Sequence, residues 1–97
     1  MEIVISNEIL QQFKDRMHFG DEEDDNLKRI LSASTKALIK DCGAYDINED
    51  ETFKELVFER SRYVYNDALE YFSKNFLTEI NSFGIAKALE EIKLGGD

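Results

Sequence analysis

No proline interrupts this chain of 97 residues. The strongest breaker of helices is therefore absent, and apolar residues recur at spacings of three and four almost from end to end. Period-two alternation is confined to one short piece, residues 2–5. The expected fold is all-α: a single domain over residues 1–97, built as a small bundle of about four helices with one long central helix. The length suits one modest core, and a hydrophobic fraction of 42% with seven Phe and four Tyr argues against disorder.

The first helix is expected over 6–17, capped by Ser6 or Asn7. Ile9, Leu10, Phe13 and Met17 form its apolar face, and Gly20 closes it. The acidic run 21–25 then opens a second helix at the positive end of its dipole. Its stripe is Leu27, Ile30, Leu31, Ser34, Leu38 and Cys42. The small residues Ala33 and Ser34 allow close approach, Lys36 and Lys40 suit its negative end, and Gly43 fits the position after it.

Asn48, with Glu51 three residues on, is expected to cap the third helix, over 49–74, which at about 1.5 Å per residue spans roughly 39 Å. One stripe on it is Phe53, Leu56, Val57, Val64, Ala68, Tyr71 and Phe72. A second is Phe58, Tyr65, Leu69 and Phe76. Two accounts of the second stripe stand open: cover by the first and fourth helices, or contact with another subunit. After an expected break at 81–84, Ile85, Ala88, Leu89 and Ile92 make a short amphipathic helix, and residues 95–97 are expected to fray.

Chemistry finds little foothold. An EF-hand loop needs glycine at its sixth place and glutamate at its twelfth. Counting from Asp21 those places hold Asn26 and Ser32; from Asp46 they hold Glu51 and Val57. His18 is the one histidine and Cys42 the one cysteine, which makes neither a zinc site nor a disulfide. His18 is expected in a partly buried loop and Cys42 in the core. No glycine-rich phosphate loop and no nucleophile–base–orienter set is present, so no enzyme activity, cofactor or metal is expected. The N-terminus lacks the basic and apolar regions of a signal peptide, and no apolar run approaches a membrane span; a soluble protein is expected.

The net charge is −9, which opposes binding to a phosphate backbone. Arg60 and Arg62 among Phe58, Tyr63 and Tyr65 therefore read as ion-pairing and protein-contact residues, not as a single-strand platform.

Three stretches carry a resemblance: the helix ending Phe13-Lys14-Asp15-Arg16-Met17-His18, the acidic helix start over 23–31, and the long helix over 53–72. With Asn75-Phe76-Leu77 and the last helix, they resemble the head–tail connector (adaptor, or head-completion) proteins of long-tailed bacteriophages, sometimes described as DNA-packaging proteins. The resemblance implies a subunit of a homo-oligomeric ring at the virion head–tail junction, made in the bacterial host cytoplasm. Such a ring docks on the portal protein, extends the DNA channel and receives the next connector, stopper or tail-completion protein. DNA passes through unbound, and no membrane is involved. By position, the resemblance puts Ile85, Leu89 and Ile92 at the portal, on a helix over about 85–94 that is mobile until bound. Phe58, Arg62, Tyr65, Leu69 and Phe76 complete the expected partner interface. A net-negative wall suits a conduit, since it leaves the counterions of DNA in place. The alternative is an acidic regulator, a DNA mimic or inhibitor that binds a basic protein as a monomer or dimer.

Overall fold

In the computed structural model, which describes residues 3–95, Ser6 begins the helical part of the chain: its hydroxyl accepts from the Ile9 amide at 3.1 Å. Helix α1 follows over Asn7–Met17. It ends at His18, not at Gly20. His18 sits in the left-handed region at φ 60°, Phe19 donates its amide to the Lys14 carbonyl, and His18 donates to that of Asp15. This six-to-one and five-to-two pair of bonds is the Schellman motif, and the Phe19 ring closes it edge-on against Phe13. His18 itself is exposed, because the chain reverses through it and carries Phe19 inward.

Helix α2 spans Asp24–Cys42. Its inner face buries Leu27, Leu31, Ser34, Leu38 and Cys42, as the period predicts, while Ile30 is half-buried. Ala33 is exposed, opposite that face, so only Ser34 of the two small residues meets a neighbour. Gly43 takes φ 101°, and a Cβ there would collide with the Lys87 side chain. Both the turn and the close crossing require glycine.

Helix α3 spans Glu51–Tyr65. Its cap is Asp50, whose carboxylate accepts from the Phe53 amide at 2.9 Å. Asn48 is instead held outside the helix, its amide donating to the Asp46 carboxylate in an Asx turn.

The expected single helix over 49–74 is two helices. At Asp67 the backbone turns left-handed, with φ 56°; Ala68 donates to the Tyr63 carbonyl and Asp67 to that of Val64, a second Schellman motif. Asp tolerates this conformation better than most residues, and no glycine or proline marks the place. The short helix α4, Leu69–Asn75, starts in a new phase. Phe72 remains buried, while Tyr71, placed in the core by the continuous pattern, is 56% exposed.

Helix α5 runs over Leu77–Gly95 without the expected break. Gly84 lies within this helix, beside the Asp41 carbonyl at the end of α2, and makes no turn. The fold is thus all-helical, with five helices, and no strand forms among the described residues. The β-like piece is an extended lead-in, tied to α2 where Ser32 donates its hydroxyl to the Ile3 carbonyl. Of the expected frayed end, residues 96–97 lie outside the described residues.

The core lies where α2 meets α1, α3 and α5. Phe13, Leu27, Leu31, Phe53 and Val57 are fully enclosed in it. The molecule is elongated, 51 × 27 × 21 Å.

Candidate partner interface

Helix α5 is anchored along its first half only. Ile80 is buried, the Cys42 thiol donates to the Ile80 carbonyl at 3.8 Å, and the Tyr45 hydroxyl donates to the Phe83 carbonyl at 2.8 Å. Phe83 meets Tyr45 and Phe53 edge-on, and the Lys87 ammonium lies 4.4 Å from the centre of the Tyr45 ring. From 88 to 92 every side chain is exposed. Ile85, Leu89 and Ile92, spaced four and three, are 61%, 61% and 67% exposed and form one continuous stripe. A helix face of this kind would normally be buried.

The other expected interface residues are dispersed. Phe58 is 2% exposed and packs on Phe13, with Arg16 over its ring. Helix α1 covers it, so it offers no surface to a partner. Tyr65 is half-buried on Phe19, and its hydroxyl donates to Glu23 at 2.6 Å, which holds its pKa above the ordinary value. Phe76 stacks on Phe72 and meets Tyr63 edge-on. Leu69 is 39% exposed. Of the second stripe, then, only Leu69 presents much of itself to solvent; α1, the Phe19 turn and α4 cover the rest.

The two arginines are tied within the chain. Arg62 donates two hydrogen bonds to Glu59 on its own helix, both at 3.1 Å, and lies over the Tyr63 ring. Arg60 reaches across to α2, donating to the Ser34 hydroxyl at 3.1 Å, and burial lowers its pKa. An arginine–carboxylate pair between neighbouring helices is made instead by Arg16, with Glu55.

A cluster that the sequence pattern does not single out joins α1 to the acidic run. The Lys14 side chain is buried, and its ammonium donates to both Asp21 and Asp24. The hydrogen bond from Lys14 lowers the pKa of Asp21, and the bonds to the two aspartates raise that of Lys14. The run therefore has a structural role in addition to complementing the helix dipole. Asp21 is still 88% exposed at its side chain, and Glu22, Glu23 and Asp25 are exposed. The signal in the sequence is Lys14 itself, a charged residue on the buried face next to Phe13.

Among the described residues, no three His, Cys, Asp or Glu side chains gather as a metal-holding group. The thiol of Cys42 is 1% exposed at the residue level, and burial pushes its pKa up to about 11, so its thiolate is disfavoured near neutrality. No described helix is long and apolar enough to cross a membrane. Comparison with protein-family models, curated proteins and solved structures gives no match.

Proposed function

We propose that this chain is a structural subunit of a ring-shaped bacteriophage head–tail connector, which docks on the portal, extends the DNA channel and receives the next connector or tail protein. The observation that carries the reading is the overhanging half of α5, with its uncovered stripe of Ile85, Leu89 and Ile92. An amphipathic helix projecting from a packed body is suited to lie in an apolar groove of a partner, with anchors at the spacing these three residues have. Portal binding is assigned to this stripe. Phe58, covered by α1, is left out of the proposed interface, and the exposed Leu69 is kept in it.

The acidic balance supports the same reading, because a wall of net negative charge does not strip counterions from passing DNA. The rival reading, an acidic regulator that mimics DNA, is less well supported. It calls for carboxylates spaced along one face, whereas Asp21, Asp24 and Asp50 sit at helix starts in internal pairs or caps.

The test is the variant Leu89→Ser/Ile92→Ser, assayed for cosedimentation with a portal ring. Full helical circular dichroism with loss of portal binding is expected. Unimpaired binding overturns the assignment of α5, and failure of the wild type to bind any portal overturns the connector reading.

A further inference from the structure

Helices α3 and α5 both pack on α2. They touch each other where Phe53 meets Phe83 edge-on, and beside that contact a cleft stays open between them. Its floor is Leu56, Phe76 and Phe83, and the end nearest Tyr45 encloses about 540 Å³. From Phe76 to Glu90 the cleft follows α5 for about 21 Å, at about 1.5 Å per residue, the length of a helix of about fourteen residues.

The charged side chains that line the cleft all carry one sign: Asp50, Glu55 and Glu59 on the α3 wall, Glu79 and Glu90 on the α5 wall. Three are paired with cations outside the lining, Glu55 with Arg16, Glu59 with Arg62 and Glu90 with Lys87. Asp50 caps α3 through one oxygen, and Glu79 is exposed and makes no ion pair among the described residues. These two leave the cleft a net negative charge, one from each wall. Tyr45 feels it at its end: burial raises the Tyr45 pKa, and Asp50, Cys42 and Glu90 add to the rise.

We infer that this cleft takes an amphipathic helix of a partner protein, apolar along one face and edged with lysine or arginine on both sides. The aromatic and aliphatic floor calls for apolar anchors at spacings of three and four. Carboxylates on both walls call for cations on both edges, whose long stems cover the floor while their charges reach the rim. The same carboxylates repel an acidic segment of equal shape. On α5, Glu79, Phe83 and Glu90 lie about a third of a turn from the stripe of Ile85, Leu89 and Ile92, so the cleft is a surface separate from the proposed portal contact. It does not rest on the connector reading.

The test is fluorescence anisotropy of labelled synthetic peptides of about fourteen residues, titrated with the full chain. One peptide carries leucines at helical spacing flanked by lysines. Another has the same leucines flanked by glutamates, and a third keeps the lysines but has serines for the leucines. Binding is expected for the first alone, and added salt should weaken it. E79K, and A86W, which fills the cleft from an exposed position, should each weaken it about tenfold with helical circular dichroism unchanged. E91K, the same charge change at an exposed α5 residue outside the cleft lining, and L89S/I92S should leave it within about twofold. Absence of binding, equal binding of the serine or glutamate peptide, or an effect of E91K equal to that of E79K would each overturn the inference. So would loss in L89S/I92S alone, which would put the peptide on the α5 stripe. No portal is present in the sample, so failure here leaves portal docking to its own test.

Discussion

Lys14 shows most plainly how single side chains set this fold. It stands on the apolar face of α1, and its charge is satisfied only because the turn through His18 brings Asp21 and Asp24 back over it. Asp21 has its pKa lowered by that bond, from an ordinary value of 3.8. A lowered carboxylate contributes stability that is present above the unfolded value and is lost as pH falls through the folded one. Asp21→Asn should therefore be less stable than the wild type at neutral pH, and the gap should close as the medium is taken well below pH 3.8. Urea titrations at several pH values check this; a gap independent of pH would contradict it. Cys42 makes a second prediction at this scale. Enclosed on α2, with its pKa pushed up to about 11, it should resist a thiol reagent in the native protein at pH 8 and react fully on unfolding. Rapid native labelling would show that the end of α2 opens.

At the scale of elements, the decisive event is the turn at Asp67. Four of the seven apolar positions expected along 53–72 precede it, and Phe53, Leu56 and Val57 are buried as the period predicts. Beyond it the phase is reset, which is why Tyr71 faces outward while Phe72 does not. Nothing in local propensity announces the turn. An aspartate in left-handed conformation is a tertiary choice, selected because it lets α4 fold Phe72 and Phe76 onto Tyr63. Asp67→Gly should relieve the conformational cost and stabilise the protein by about 1 kcal/mol, measured by urea unfolding. The helices on either side of the core are legible in the sequence because their stripes are long and regular. The caps expected at Asn48 and Gly20 fall instead at Asp50 and His18, because a cap depends on which residue the chain path brings within reach, and neighbours two positions away compete for the role. Phe58 reads as an interface residue because its position off the main stripe leaves its cover undetermined; α1 supplies that cover. Phe58→Ala should accordingly cost about 3–5 kcal/mol, as core aromatic truncations do, whereas Ile85→Ser should change stability by only about 0.5 kcal/mol or less.

At the scale of the whole molecule, the form is a packed body with one helix extending past it. The body is settled by burial around α2. The overhang has no such explanation: Ile85, Leu89 and Ile92 stand in water, and the proposed portal contact would cover them. The spacing of these residues is legible in the sequence. Their exposure is not, because exposure depends on where the body ends. In the proposed assembly the α5 stripe faces the portal, and the acidic surface faces solvent and DNA. Solution mass by light scattering, taken on the purified chain and again with a portal ring, tests this most directly. The chain is expected to join the portal in a fixed stoichiometry and to close there into a ring; a chain that remains monomeric and unbound in the presence of the portal would contradict the connector reading.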